Sequence, residues 1–487
     1  MINLNEIPYD WRVPGTLVEN RPVYDRMGLV SFPAVAYLFV QKLATGTAEA
    51  ARAYEITRPE QGTVLFGAGS VGQQTVRAWK KANRTNRVFA IALADDAAGV
   101  KEVRTYTFSG AGAGTVSFYI QGRRYRYKAL SSMTPTQHAA AAVLAINADP
   151  DAPVTATSAV AVMTTTAKHA GEVGKHIDVR FRKTAEDVLP GTLAIAEAVT
   201  TPGSGNPDVQ DILDALANTW VTDIVMPWDD AANLELVTEW AAERFKAMGR
   251  KDGHVYVGHR GTYGALGTKG GLTNSPHLSA IGANRPYQAP WELAAALGGV
   301  ATFQLTNDPA RQLRSLALPG IDAPDEEDCF TETERDLLLR QGISTWTRLE
   351  DGTMVIERVI TTYKVTNLGI ADTAFLDIMV PKTLTRIRYD WASYVTLLYP
   401  RHKLAPDDSV AANNNDIVVT PKRMAGTWAA RCKLYEQLAW IVEIRRTLEL
   451  SKFELDLAGD KNRMNAQQRI NIIGNLMVLA AALEFEA

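Results

Sequence analysis

Cysteine is nearly absent. The 487 residues contain two, Cys329 and Cys432. Two thiols far apart in sequence build neither a disulfide framework nor a metal-ligand set, and no histidine lies close to either. An excess of one charge is also missing: 51 basic residues face 54 acidic ones, for a formal net charge of −3. That balance leaves no electrostatic footprint for nucleic acid. The local basic run Arg123, Arg124, Arg126 and Lys128 reads as a solvated strand face. Long apolar runs are lacking as well. The longest uncharged stretch, 470–483, is shorter than the ~20 residues a membrane-spanning helix needs, and Asn471, Gly474 and Asn475 interrupt it. The first twenty residues carry no cationic start followed by an apolar run, so no secretory leader is expected. The expectation is a soluble chain made in the cytoplasm. No phosphate loop ends in Lys-Ser or Lys-Thr, so nothing in the chain requires ATP.

What is present suits a large folded protein. The hydrophobic fraction is 46%, enough for real cores, and the length suggests about three to four units. The opening stretch 1–26 is extended: Ile2 and Leu4 alternate with Asn3 and Asn5, and Pro8, Pro14 and Pro22 exclude helix. Strand patterns at 32–40, 88–93, 221–226 and 254–257 alternate with helical ones at 60–84, 207–217, 233–248 and 290–297. That alternation predicts an α/β core with a partly parallel sheet. Residues 106–187 change character. Val116, Phe118 and Ile120 alternate with polar or aromatic neighbours. Gln121-Gly122 marks a turn, and Thr134-Pro135-Thr136-Gln137 is a capping box that opens a helix. This stretch reads as a mostly β module. Farther on, Thr331 to Glu334 is a second capping box and Asp351-Gly352 a hairpin turn. Residues 425–450 read as one long helix, and Ile470, Ile472, Leu476 and Val478 as a carboxy-terminal strand.

Several motifs invite a chemical reading. Gly67-Ala68-Gly69-Ser70-Val71-Gly72 has dinucleotide-fingerprint spacing, with Asp95 and Asp96 placed where a ribose-binding acid would lie. A nucleotide-dependent oxidoreductase is therefore the rival function. Arg58-Pro59-Glu60 leaves little room for the strand such a motif requires, and a tight loop before a helix is the preferred account. Serine-protease chemistry needs an aspartate, a histidine and a serine together, but Gly261-Thr262 is followed by Tyr263 and Gly267-Thr268 by Lys269. His254 and His259 read as structural strand residues, and His169 and His176 as exposed loop residues without zinc spacing. The acidic run 325–328 lacks the alternating oxygens of a calcium loop and reads as solvated. The bases and aromatics Arg386, Arg388, Tyr389, Trp391 and Tyr394 suit packing or a protein interface better than nucleic acid.

The densest text lies between Asn307 and Tyr363. It runs Asp308-Pro309-Ala310-Arg311, Leu316-Ala317-Leu318-Pro319-Gly320-Ile321, Leu337 to Thr345, and Ile356-Glu357-Arg358-Val359-Ile360-Thr361-Thr362-Tyr363. This series, in this order, resembles the Mu-like family of contractile phage tail sheath proteins. The resemblance implies no enzymatic activity and no cofactor. It implies an α/β and α+β multidomain fold with these parts: an amino-terminal arm, 1–26; a subtilisin-like α/β core without catalytic residues, 27–105 and 188–307; a β-rich insertion domain, 106–187; a tube-proximal α+β domain, 308–464; and a carboxy-terminal arm, 465–487. Ile2, Leu4, Ile7, Ile470, Ile472, Leu476 and Val478 would be the strand residues that such arms lend to neighbouring subunits. The implied partners are further copies of the chain in stacked hexameric rings, a tail tube protein, and baseplate and tail terminator proteins. Direct nucleic-acid contact and membrane insertion are not implied. The implied location is a virion tail assembled in the bacterial host cytoplasm, and the sheath of a headless tailocin-type device is the close variant. Because a virion leaves the reducing cytoplasm, a disulfide between subunits through Cys329 or Cys432 stands as the alternative to two reduced thiols.

Overall fold

A computed structural model describes residues 12–19, 28–183, 187–456 and 458–484. They divide into two compact units, Pro33–Thr385 and Met1–Phe32 with Arg386–Ala487. Ile2, Leu4 and Ile7 lie outside the described residues.

The larger unit is built on a nine-stranded sheet. Its strand order is Ala317–Asp322, Thr353–Arg358, Ile343–Arg348, Leu278–Ala283, His254–Arg260, Asp223–Met226, Val35–Gln41, Arg87–Leu93 and Ala53–Glu55. The central pairings are parallel, and the outer ones at both ends are antiparallel. Parallel strands covered on both faces read as unbroken apolar runs. Leu38-Phe39-Val40, Ile224-Val225-Met226 and Val255-Tyr256-Val257 are such runs, and all are buried. Helices Val71–Ala82 and Pro290–Asn307 bring Trp79, Leu293 and Leu297 into this core. Helix Ala231–Phe245 starts where Asp230 accepts the Asn233 amide at 3.0 Å, an ordinary side-chain cap.

The expected boundary at 308 is corrected. Ile343–Arg348 pairs with the core strand Leu278–Ala283, and the hairpin around Asp351-Gly352 carries Thr353–Arg358 and Ala317–Asp322 onto the same sheet. Residues 308–385 therefore complete the core. Ala280 pairs with Ile343 across a long stretch of chain, and local patterning is blind to such a pairing.

The β-rich module is present with wider limits than 106–187. Its central strand, Lys101–Ser109, pairs with Val162–Ala170 on one side and Ala194–Thr201 on the other, so the module takes in residues on both sides of the expected span. A second sheet joins Gly114–Ile120 to Arg123–Ala129 through Gln121 and Gly122, both with positive φ as a two-residue hairpin turn requires. Helix Pro135–Asn147 carries the expected capping box. Tyr106, Phe108, Phe118, Met163 and Ile146 form the module's own core.

The smaller unit is mainly helical: the carboxy-terminal part of Met379–Leu398, then Val410–Asn414, Pro421–Gln437 and Ile444–Leu450. The single helix expected over 425–450 is therefore two. Ala439 and Glu443 take positive φ, and the strand Ile441–Val442 lies between them. Short ribbons follow. Lys452–Leu455 pairs with Met464–Gln467, and Ile441–Val442 with Asn471–Ile472. At the centre of the unit Asp390 is wholly buried. Its carboxylate pairs with Arg431, itself 1% exposed, and accepts Tyr435 Oη at 2.6 Å and the Val30 amide at 2.8 Å. Arg431 also reaches the Gly28 carbonyl and stacks 4.2 Å from the Tyr394 ring. Trp391 packs edge-on against Trp428, and Arg386 lies over the Phe32 ring. The base-and-aromatic series of this helix is thus packing within its own unit.

Candidate functional site

The glycine loop is occupied by its own protein. Helix Gln61–Phe66, not a strand, precedes it. The amides at the start of helix Val71–Ala82 already have partners: Gln73 N donates to Ser70 Oγ at 3.0 Å and Val71 N to His169 Nε2 at 3.2 Å. Gly69, at φ +76°, sits so close to its neighbours that a Cβ would lie 2.2 Å from the Ala152 carbonyl oxygen. The glycines therefore serve close packing, Gly69 against Ala152 of the β-rich module, Gly67 against Thr45 and Gly72 against Phe66. This geometry does not support the oxidoreductase reading.

The histidines are not exposed. His169, expected in solvent, is buried. Because its Nε2 accepts from Val71, its proton lies on Nδ1, 2.6 Å from Asp95 Oδ1. His176 is largely buried too, and burial lowers its imidazole to about 4. His259 Nδ1 lies 2.9 Å from Asp229 Oδ2, with Lys269 Nζ at 3.2 Å from the same carboxylate. Burial opposes the charge on Asp229, but the His259 hydrogen bond and the surrounding positive groups hold it well below the usual carboxylate range. Among the described residues no hydroxyl is hydrogen-bonded to His259. A Ser–His pair, Ser279 Oγ to His254 Nε2 at 2.8 Å, is sealed: both residues are buried, and burial depresses His254 far below its ordinary value. A nucleophile needs a substrate within reach, and this pair has no approach. The acidic run is also tied in, with Asp325 Oδ1 accepting from Tyr287 at 2.6 Å and Asp328 Oδ1 from Asn284 at 3.0 Å. No cluster of three or more metal-ligating side chains occurs among the described residues, and none of their helices is long and apolar enough to cross a membrane.

The signature text between 307 and 363 has a structural explanation. Glu357 pairs with Arg335 at 2.9 Å, and Arg358 holds Asp377 through two hydrogen bonds of 2.9 and 3.0 Å. Thr362 Oγ1 bridges the Ser275 amide and carbonyl. Lys364 Nζ donates to the carbonyls of Gly270, Thr273 and Gln341, two of them at the ends of helices Tyr263–Gly270 and Glu332–Arg340. A cation there meets the negative ends of both helix dipoles. These residues brace an excursion, 359–378, out of the core sheet.

The carboxy-terminal segment departs from the expected strand. Ile472 pairs with Ile441 of its own chain, and the Ile473 amide donates to the Trp440 carbonyl at 3.1 Å. Ile470 precedes that two-residue strand, and Leu476 and Val478 follow it, outside any strand. Beyond Ile473 the chain to 484 has no regular structure and leaves apolar side chains in solvent, Val478 at 79% and Leu483 at 95%. An isolated two-residue pairing holds little, which is why local alternation overstated the strand. Of the cysteines, Cys432 is fully buried and its thiol is pushed up to about 12. Cys329 is partly exposed, and burial raises its thiol too.

Comparison with known proteins gives the chain its relatives. Residues 203–362 match the phage tail sheath protein central domain family. Over 492 aligned residues, covering 99% of each chain, the protein is 29% identical to the Mu-like prophage FluMu tail sheath protein of Haemophilus influenzae. Its fold is similar to the helical sheath of the anti-feeding prophage in its contracted state, with TM-score 0.50, 12% identity, and 98% and 99% of the two chains covered. The sheath tail protein of Desulfitobacterium hafniense aligns over 94% of this chain and 100% of its own, at TM-score 0.49 and 11% identity.

Proposed function

We infer that this chain is the sheath subunit of a contractile tail, a structural protein and not an enzyme. The observation that carries the reading is the full-length similarity to a Mu-like tail sheath, with the family's central domain falling on the larger unit. In this reading copies of the chain polymerise as stacked hexameric rings around a tail tube, attached to a baseplate and closed by a terminator protein. The assembly is a virion tail component built in the host cytoplasm. The core is a subtilisin-like scaffold used without its chemistry, consistent with an Asp229–His259 pair that has no bonded hydroxyl.

The arms supply the mechanics. Ile2, Leu4 and Ile7 at one end, and Leu476 and Val478 at the other, add strands to a neighbour's sheet edge. The ribbons at 441–472 are two-stranded. Such ribbons are marginal alone and gain from an added strand. Each new hydrogen bond contributes only ~0.5–1.5 kcal/mol net, while ordering the arm costs ~1–2 kcal/mol per residue. One arm is therefore a weak link, and the repeated lattice makes many weak links firm. Contraction then releases interface energy stored at assembly, and the arms keep subunits connected as they move.

Electron microscopy of the purified protein tests the reading. Rings or hollow tubes are expected. A monodisperse monomer at every concentration and salt condition would count against it.

A further inference from the structure

The β-rich module joins the core at a narrow waist. The chain enters through Gly99-Val100 and leaves through Gly203-Ser204-Gly205. The two legs lie side by side: the Val100 amide donates to the Ser204 carbonyl at 2.8 Å, and the Ser204 amide to the Val100 carbonyl at 3.2 Å. Gly205 takes φ +80°, and a Cβ on Gly203 would lie 2.4 Å from the Gly171 carbonyl oxygen. Two adjacent crossings leave an axis about which a body can turn, and a few such residues absorb the change. Outside the waist the seat is polar. The module has an apolar core of its own, and among the described residues Val173 is what it adds to the core cluster of the large sheet. Gln121 Oε1 accepts from Gln74 at 2.8 Å, Asp151 pairs with Arg77 at 2.9 Å, Asp178 with Arg260 at 2.5 Å, and Arg180 donates to the Arg285 carbonyl at 2.8 Å. The Ala170 amide donates to Asp95 Oδ2 at 2.8 Å, and the Val71 amide to His169 Nε2 at 3.2 Å. An interface of this composition is typical of domains that move against one another.

His176 lies in this seat. From the core, Asp229 faces it, with Oδ1 3.9 Å from Nε2, and His259 and Lys269 pair with the same carboxylate. Arg260 donates to the His176 carbonyl at 2.9 Å, and the Trp291 ring stands edge-on to the imidazole. From the module, the Glu172–Lys175 ion pair shares its turn, and Arg104 donates to the Lys175 carbonyl at 3.0 Å. Burial keeps a proton off the ring. Asp229 offsets this in part, while Arg260, Lys269 and His259 add to it, and the imidazole falls from 6.5 to about 4.

We propose that the β-rich module is a hinged body that lifts off the core in acid, because lifting hydrates His176. The seated ring is neutral. Lifting returns it to its ordinary value, so the lifted state binds a proton that the seated state refuses. What this group contributes to seating is present above pH 6.5 and is lost as pH falls toward 4. At pH 5 the lifted population should be about thirtyfold larger than at pH 8. Asp229, held below the usual carboxylate range, adds its own loss only under about pH 4. Such a hinge does not require polymerisation, so it stands apart from the sheath reading.

Hydrogen exchange on the full-length protein tests it. The amides of Val71 and Ala170, whose acceptors lie across the seat, should lose protection about thirtyfold between pH 8 and pH 5, after correction for intrinsic exchange. The hairpin of Gly114–Ile120 and Arg123–Ala129, inside the module, should keep its protection, because the module moves as a body. His176→Gln should remove most of the loss at Val71 and Ala170. Unchanged protection at those two amides, an equal loss in the hairpin, or the full loss in His176→Gln overturns the proposal. A second measurement decides the matter if His176→Gln does not fold. In a Cys329→Ser background, Arg77→Cys/Asp151→Cys is crosslinked with a short bismaleimide to pin the seat. Crosslinked protein should retain at pH 5 the protection that the same variant loses without crosslinker, and an equal loss in both samples overturns the hinge.

Discussion

Replacing Asp390 with leucine is the sharpest probe of how the smaller unit holds the amino-terminal segment. Three groups depend on this one carboxylate: the Arg431 guanidinium, Tyr435 Oη and the Val30 amide. Arg431 is 1% exposed, so water cannot take the carboxylate's place. Removing one partner of a buried ion pair costs ~3–5 kcal/mol, because the remaining charge stays desolvated and unpaired. In a unit of roughly 130 residues each kcal/mol shifts the midpoint by about 3–4 °C, so a loss of about 10–20 °C is expected. The double variant Asp390→Leu/Arg431→Met removes the orphaned charge and should recover much of that loss. Scanning calorimetry on wild type and the two variants measures both effects. Hydrogen exchange reports separately on Val30, whose amide loses its acceptor in both variants and should exchange faster in both. The reasoning is refuted if Asp390→Leu melts with wild-type protein, or if the double variant is less stable than the single one.

Three further outcomes follow from the same geometry. Lys364→Met leaves three buried or part-buried carbonyls without their cation and should destabilise the larger unit by about 1–3 kcal/mol, read by urea unfolding; no change would refute the bracing role. In native protein Cys329 should alkylate well before Cys432, whose thiol is buried and raised to about 12; mass spectrometry after timed iodoacetamide exposure checks this, and Cys432 reacting first would contradict the packing. His176, lowered to about 4 by burial, is held neutral in the fold. Its stabilising contribution is therefore present above the unfolded value near 6.5 and is lost as pH falls toward 4. His176→Gln should flatten the stability-versus-pH curve in that window, and an unchanged slope would refute the assignment.

Much of the fold was legible where the signal is local. The capping boxes at Thr134–Gln137 and Thr331–Glu334 open the helices they promised, and Gln121-Gly122 and Asp351-Gly352 turn the expected hairpins. The apolar runs at 35–41 and 254–260 are buried parallel strands. What sequence could not reveal was long-range. The pairing of Ala280 with Ile343 moved residues 308–385 into the core. Val30 meets Asp390 across 360 residues of chain, which ties residues 28–32 to the smaller unit. The loop histidines misled because residues remote in sequence bury them: His169 is held by Asp95 and Val71. The break between helices Pro421–Gln437 and Ile444–Leu450 was hidden because Ala439 and Glu443 are not the residues that usually take positive φ. The signature between 307 and 363 pointed to a family by resemblance. Its physical meaning, a set of clamps on an excursion, emerged only from the contacts of Arg358, Thr362 and Lys364.

The most direct test of the mechanical account is a near-atomic image of the assembled polymer that traces residues 474–484. The account predicts that they run as a strand along a sheet edge of an adjacent subunit, and that a chain ending at Ile473 folds but fails to form tubes. If the segment instead lies against its own subunit, and the shortened chain assembles normally, the arms do not link the sheath.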